Sequence, residues 1–403
     1  MLTCQMIDEA AVVLRGVVRP TEIIHSPFYS KMLGAPLYFK CENHQHTGSF
    51  KIRGAYHFLS KRPAEQLANG VVTASVGNHG KGVASAASLL NCSCRVIMPE
   101  GVPLSKELAP LQYGAAVELY GQTHEEADSY ARQLAAKDNL LYIPAFDHEL
   151  IMAGQGTIGL EILQELPTIE SLLVPIGGGG LISGIATAIK AVKPGVRIIG
   201  VEAAGVASAS LARRNGHPKT ISTRTHSFAE EVAVKRVGEL TFTIMEHYVD
   251  DVITVDEESI ARAIVSLMEK GNLFVEGAGA VGLAALIYGF RSVRKESTLC
   301  LLSGGNLDIH NMARVVEKGM LAEGRYLRLR LEMADIPGAL AHLTHILSEL
   351  QANIFQVNHD RHKSSLPLGE AEVLLDLETR GAEHIQEILM RLEDERYRPE
   401  VIY

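Results

Sequence analysis

The residue best placed for covalent chemistry lies in Thr47-Gly48-Ser49-Phe50-Lys51, between an apparent strand, Leu37 to Glu42, and a helical pattern from about Ile52. A lysine at a helix start feels the positive end of the helix dipole, which favours the neutral amine over the ammonium. A neutral amine is a nucleophile, so Lys51 is a candidate for attack on a carbonyl. Three further clusters share this placement at the end of a strand. Ser75-Val76-Gly77-Asn78-His79-Gly80 follows Val71 to Ala74, and its amides and Asn78 suit a carboxylate or a ring hydroxyl. Gly177-Gly178-Gly179-Gly180 follows Ser171 to Ile176 and precedes a helix from Leu181. Four glycines let the backbone close on an anion, and the helix start adds amide donors. No Gly-Lys-Ser/Thr follows and the G-x-G-x-x-G spacing is absent, so the cradle fits a single phosphate. The fourth cluster, Ser303-Gly304-Gly305-Asn306, closes the strand Thr298 to Ser303.

Those clusters need a scaffold, and the chain from residue 70 onward supplies one. Strand-like runs at Val71 to Ala74, Arg95 to Met98, Ala116 to Leu119, Ser171 to Ile176, Arg197 to Val201, Asp251 to Val255 and Thr298 to Ser303 alternate with helical patterns. Among these are Glu125 to Ala136, Leu181 to Val192, Glu257 to Lys270 and Ala280 to Phe290. Such alternation predicts an α/β domain with doubly wound, mostly parallel sheets, which bind ligands beyond the strand C-termini. All four clusters then face one edge. A lysine nucleophile and a one-phosphate cradle on one edge suit pyridoxal 5'-phosphate, whose aldehyde is held by lysine.

The pattern changes after Arg325. Strands Tyr326 to Glu332, Asn353 to Asn358, Glu370 to Leu377 and Pro399 to Tyr403, helices Ala339 to Leu350 and Ala382 to Leu392, and a polar turn at His362 to Ser365 are predicted. The order βαββαβ gives a small α+β ferredoxin-like domain. The expected division is 1–322 and 325–403, with Lys318 to Gly324 as linker.

Composition removes several function classes. A formal charge of −9 has the wrong sign for binding a phosphate backbone, so nucleic acid is not an expected partner. The weakly polar run Gly277 to Phe290, bracketed by Glu276 and Arg291, is shorter than the roughly 20 residues of a membrane span. Residues Met1 to Ala10 carry Asp8 and Glu9 and lack a basic, apolar leader, which predicts a cytoplasmic protein. The five cysteines contain no C-x-x-C pair and read as reduced thiols, with Cys92 and Cys94 as buried structural ones. The absence of Trp disfavours stacking platforms for bases or sugars.

The stretch Lys40 to Ala55, K-C-E-N-H-Q-H-T-G-S-F-K-I-R-G-A, with S-V-G-N-H, G-Q-G-T-I at Gly154 to Ile158, the tetraglycine loop and S-G-G-N, resembles the threonine/serine dehydratases of the tryptophan synthase β-type pyridoxal phosphate fold. The resemblance covers nearly the whole chain. It implies that Lys51 carries the cofactor as a Schiff base and acts as base, with Phe50 beside it. Asn78 would meet the ring hydroxyl, Gly177, Gly178, Gly179, Gly180 and Leu181 the phosphate, and Ser303 the pyridine nitrogen. Ser49, Ser75, Gly77, Asn78 and His79 would bind substrate. A neutral hydroxyl at the ring nitrogen weakens the electron sink, which disfavours transamination and leaves β-elimination. Threonine would give 2-oxobutanoate and ammonia.

Asp335-Ile336-Pro337-Gly338-Ala339-Leu340, Ala352-Asn353-Ile354 and Asn358-His359-Asp360-Arg361 resemble the ACT regulatory domain. This implies an amino-acid or nucleotide effector and a homo-oligomer, dimer or tetramer. Departures from the family pattern are Val76 for a small residue, Gly80-Lys81 for Ala-Gln, Glu230-Glu231 for Asp-Gly, and Ser208 where some relatives have a carboxylate. The last two argue against a metal near Glu202. Related serine racemases have serine at the Val76 position as a second proton donor, and valine has no proton to give. Serine racemase, lyases for other β-hydroxy amino acids, β-replacement on an activated serine and a non-catalytic amino-acid sensor are the alternatives.

Overall fold

The computed structural model describes residues 2–222, 227–289, 296–363 and 366–402. Met1, Phe290, Arg291, Ser364, Ser365 and Tyr403, which figure in the expectations above, lie outside the described residues. The chain separates into two compact units, Met1–Met312 and Ala313–Tyr403.

The first unit holds two sheets. One contains β1 (Ile23–His25), β2 (Leu37–Cys41), β7 (Ser171–Pro175), β8 (Arg197–Ala203), β9 (Asp251–Val255) and β10 (Thr298–Leu302). Their order is β1-β2-β10-β7-β8-β9, with β1 antiparallel and the rest parallel. The other is fully parallel, β5-β4-β3-β6, from β3 (Val71–Ala74), β4 (Cys94–Met98), β5 (Ala116–Leu119) and β6 (Leu141–Tyr142). Every residue of β3, β7 and β10 is buried, as expected of parallel strands covered on both faces. The edge strands β1 and β6 are too short to show a hydropathy pattern and were not predicted.

The G-Q-G-T-I segment turns out to be a packing device. It lies in the helix Glu149–Glu165, where a Cβ on Gly154 would come within 2.5 Å of the Arg53 carbonyl and one on Gly156 within 2.8 Å of the Gly184 carbonyl. Gln155 Oε1 accepts the Gly54 amide at 3.1 Å. The helix Lys51–Ser60 is thereby fixed against its neighbour, and with it Lys51.

A buried charge network anchors the same helix. Arg53, fully buried, donates to Glu42 at 2.9 and 2.8 Å, to Glu161 at 2.6 and 3.0 Å and to Thr157 at 3.1 Å. Buried Lys40 pairs with Glu161 at 2.7 Å. Removing one partner of a buried pair leaves a desolvated charge, so Glu42→Ala is expected to destabilise the first unit by about 3–5 kcal/mol. The check is the urea midpoint followed by circular dichroism. A midpoint matching wild type would show that the network carries no stability.

The expected linker Lys318 to Gly324 is corrected by the structure, because residues 318–322 lie in the helix Ile309–Ala322. Val315 and Gly319 are buried there, Met312, Val316 and Met320 are half-buried, and Glu317 and Lys318 are exposed, which is helical periodicity. The expected helix Glu257 to Lys270 instead stops as an α-helix at Ser266 and ends in a π turn, Leu267–Gly271, followed by Asn272 at φ 52°.

The second unit is an antiparallel sheet of β11 (Tyr326–Ala334), β12 (Asn353–Asp360), β13 (Glu370–Glu378) and β14 (Glu400–Val401), in the order β12-β13-β11-β14. Helices Ala339–Glu349 and Ala382–Asp394 connect the strands in the expected βαββαβ order. Alternate residues Leu327, Leu329, Leu331 and Met333 point into the core with Leu343, Ile346, Leu347 and Ile388.

Candidate active site

A cavity of about 740 Å³ opens where the C-terminal ends of β3, β6, β7 and β10 meet the helix start at Lys51. Phe50, Lys51, Ser75, Gly77, Asn78, His79, Gly177 to Leu181 and Ser303 all line it. Of the expected site residues, Ser49 alone is outside this lining. Its hydroxyl is fully buried and has no hydrogen-bond partner among the described residues.

Strand pairing explains the convergence. Parallel β2 and β10 bring the segments that follow them together: after the turn Glu42–His44 the chain returns to pair antiparallel with the end of β10, through a bridge from Ser49 to Gly304 and bonds from the Phe50 amide to the Ser303 carbonyl at 3.2 Å and from the Gly305 amide to the Gly48 carbonyl at 2.9 Å. Residues far apart in sequence, Lys51 and Ser303, thus become neighbours. Gly48 sits at φ 73°, and a Cβ there would fall 2.4 Å from the Asn306 side chain.

Lys51 Nζ donates to the Ala145 carbonyl at 3.2 Å. Its pKa is lowered to about 8, and burial is the main cause, against the opposing pull of Glu276 and Glu231. The helix dipole invoked from sequence is therefore not needed to explain a reactive amine.

The tetraglycine loop is closed on its outer side by packed chain. A Cβ on Gly177 would lie 2.8 Å from the Glu231 carbonyl, on Gly178 2.3 Å from the Phe146 ring, and on Gly180 2.9 Å from Phe146 Cβ. Gly179 has φ 92°, a conformation side-chain-bearing residues rarely adopt. The helix Gly180–Val192 starts here with no side-chain cap, so its first amides can serve an anion in the cavity.

The Ser75–Gly80 loop is shaped by its own serine. Ser75 Oγ accepts the Gly77 amide at 3.2 Å and the Gly80 amide at 2.8 Å, so this side chain organises the turn. The His79 ring lies 3.4 Å from the Ile143 carbonyl, and burial, then the Lys51 charge, holds it neutral with a pKa of about 3. Any contact of His79 with a carboxylate thus falls to its backbone. Asn78 Nδ2 donates to Glu276 at 2.6 Å, and Asn78 Oδ1 accepts from Asn306 at 2.6 Å. Lys81 Nζ completes the chain by donating to Asn306 Oδ1 at 3.0 Å.

Sequence reasoning missed Glu231, Glu276, Phe146 and Lys106 as cavity residues. Burial, followed by the Glu231 charge, holds the Glu276 carboxyl well above its usual range. Burial also raises Glu231, with Lys106 pulling the other way. Their signals in the sequence were faint: Glu276 interrupts an apolar stretch, and Glu231 departs from the family pattern.

Glu202, raised above as a candidate metal position, is engaged by its own chain. Its oxygens accept from the amides of Ala209 at 2.6 Å and Ser210 at 2.9 Å and from the Ser210 hydroxyl at 2.8 Å, which caps the helix Ser208–Asn215. All five cysteines are free thiols, and Cys94 is buried with its pKa raised to about 12, while Cys92 is only half-buried. Among the described residues, no helix is long and apolar enough to cross a membrane.

Residues 14–304 match the family model of pyridoxal-phosphate dependent enzymes, and residues 327–394 match the ACT domain. The chain belongs to the pyridoxal-phosphate dependent enzyme family and carries a C-terminal ACT domain. It is 50% identical over 402 residues, all of both chains, to the L-threonine ammonia-lyase of Geobacter sulfurreducens. The processed threonine deaminase isoform 2 of Solanum lycopersicum superposes with a TM-score of 0.75 at 38% identity, over 78% of this chain and 92% of that one. Maize serine racemase follows with a TM-score of 0.74 at 33% identity, over 79% and 98%. The residues of this pyridoxal-phosphate dependent enzyme fit the cofactor: an amine held near neutrality stands across one cavity from an uncapped glycine helix start.

Proposed function

We propose that this chain is an L-threonine ammonia-lyase, converting L-threonine to 2-oxobutanoate and ammonia, with L-serine as a second substrate giving pyruvate. The observation that carries this reading is Lys51, an amine with its pKa lowered to about 8 on the wall of a cavity that also presents a phosphate cradle. The names of the full-length relative and of the tomato structure support it.

Pyridoxal phosphate supplies a carbonyl carbon for amines and a sink for the electron pair left at the substrate α-carbon. Lys51 Nζ would hold the cofactor through its carbonyl carbon, and as a free amine it would be the base that takes the substrate α-proton. Amides of Gly177 to Leu181 would hold the phosphate, Ser303 would offer a neutral hydroxyl to the ring nitrogen, Asn78 would serve the ring hydroxyl, and Phe50 would stand beside the cofactor. Amides of Asn78 and His79 would receive the substrate carboxylate, in a turn that the Ser75 hydroxyl sets by taking the Gly77 amide. The β-hydroxyl would leave as water with the proton that Lys51 took from the α-carbon, restoring the amine, and hydrolysis of the released enamine would yield 2-oxo acid and ammonia. Val76 offers no proton to the opposite face of the α-carbon, which supports lyase over racemase.

The ACT unit fits a small amino-acid or nucleotide effector in a cytoplasmic dimer or tetramer. Coupling of this kind requires the effector to bind two states unequally. The test is 2-oxo acid and ammonia release from L-threonine and L-serine, with D-serine assayed in parallel and isoleucine or valine added. Turnover of threonine with little D-serine is expected. Faster D-serine formation than elimination, or no turnover of either amino acid, would sink the proposal.

The amine pKa gives a pH prediction. Below about 8 Lys51 is mostly ammonium, and above it mostly free amine. The rate at which cofactor-free protein takes up pyridoxal phosphate should therefore rise through pH 8 and level off above it. Stopped-flow absorbance checks this, and a rate flat across that range would contradict the assignment.

A further inference from the structure

The charges on the cavity wall are unevenly satisfied. Among the described residues that line it, every lysine and arginine except Lys51 has a carboxylate partner. Lys106 pairs with Glu230, Arg132 with Asp128 at 2.8 Å, Lys235 with Glu125 at 3.0 Å and Arg236 with Glu239. Three lining carboxylates, Asp147, Glu231 and Glu276, form no ion pair among the described residues, and Asp147 is occupied by the backbone amides of Glu239, Leu240 and Thr241, each at 3.1 Å. Glu276 is occupied by the Asn78 amide at 2.6 Å and the Asn306 backbone amide at 3.1 Å. Glu231, on the short 3-10 turn Glu230–Val232, stands where the family pattern has glycine, and its carboxylate reaches toward the Ser75–Gly80 loop. Its Oε1 is 3.9 Å from the position a Cβ on Gly77 would take.

Gly77 precedes the helix Asn78–Leu89, whose start is the proposed seat of the substrate carboxylate. An amino acid held there places its β-substituents beside Glu231. We infer that Glu231 is a specificity-determining residue, admitting β-hydroxy amino acids with neutral side chains and rejecting those with a second carboxylate. The inference rests on the substrate placement proposed above. Burial raises the Glu231 carboxyl while Lys106 and Lys51 favour its ionised form; in that form it repels a second carboxylate at short range in a poorly solvated cavity, and the cations that could receive that carboxylate are already paired. Selectivity thus comes from a repulsive element as well as from fit.

The test uses holoenzyme of wild type, Glu231→Gln and Glu231→Gly, each shown to keep the visible absorption of bound cofactor. One arm compares kcat/KM for L-threonine and L-threo-3-hydroxyaspartate. The other measures, from the shift in cofactor absorption, the Kd of L-2-aminobutyrate and L-aspartate, which have no β-leaving group. Wild type should favour the neutral member of each pair. Glu231→Gln keeps the shape without the charge and should move both ratios toward the dicarboxylate by at least about ten-fold. Ratios that move only in Glu231→Gly would assign the effect to bulk and overturn the inference, as would ratios unchanged in both variants. Failure of the lyase reading shows separately, as absence of threonine turnover by wild type, while the binding arm still decides the charge effect.

Discussion

Lys51→Ala protein is expected to release 2-oxobutanoate from threonine at least about 10²–10⁴-fold more slowly than wild type, from loss of the proton-transferring base alone. The loss of the amine that holds the cofactor adds to this. Ala145 keeps its carbonyl and the cavity keeps its walls, so the fold should survive and the effect should appear in kcat rather than in solubility. Lys51→Arg should fail equally, because a guanidinium stays charged at any working pH and can neither attack a carbonyl nor accept a proton. A 2-oxo acid assay under saturating threonine and cofactor reads both variants. Activity within ten-fold of wild type in Lys51→Ala would remove Lys51 from the chemistry.

Gly178→Ala is expected to weaken cofactor retention while leaving Lys51 intact. Its new Cβ would lie 2.3–2.4 Å from three ring carbons of Phe146, so either the ring or the loop must move. Overpacking of this kind costs about 1–3 kcal/mol. Taken up by the loop, that is about 5–150-fold in the dissociation constant of pyridoxal phosphate. Equilibrium dialysis against the cofactor measures it. Adding Phe146→Ala should relieve the clash and restore part of the affinity, a coupling that independent sites would not show. Unchanged retention in Gly178→Ala would mean that the tetraglycine loop does not hold the phosphate.

The parts of this molecule written in local pattern were legible. Val71–Ala74, Ala116–Leu119 and Asp251–Val255 form strands with the bounds their β-branched runs predict, and the second unit shows its expected βαββαβ order. Lys51, the glycine loop and Ser303 could be singled out because each ends a recognisable strand. What was hidden depends on tertiary packing. Burial, which lowers the Lys51 pKa, comes from chain segments remote in sequence. Glu231 and Glu276 look like surface acids until the fold turns them into one cavity. The Ser75–Gly80 loop reads as a set of amides for a carboxylate, and only the fold shows that the Ser75 hydroxyl shapes it by accepting the Gly77 and Gly80 amides. The supposed linker, Lys318 to Gly324, begins inside the helix Ile309–Ala322, where Gly319 is buried on its inner face. The Gly154–Ile158 motif was recognised by resemblance alone, and its physical role as a close helix contact became visible only in three dimensions.

The most direct measurement is borohydride reduction of cofactor-loaded protein, followed by proteolysis and mass spectrometry. A phosphopyridoxyl group fixed on Lys51 is the expected result. Reduction that labels Lys81 or Lys106 instead, or leaves no covalent adduct in yellow, threonine-active protein, would contradict the assignment of Lys51 and the mechanism built on it.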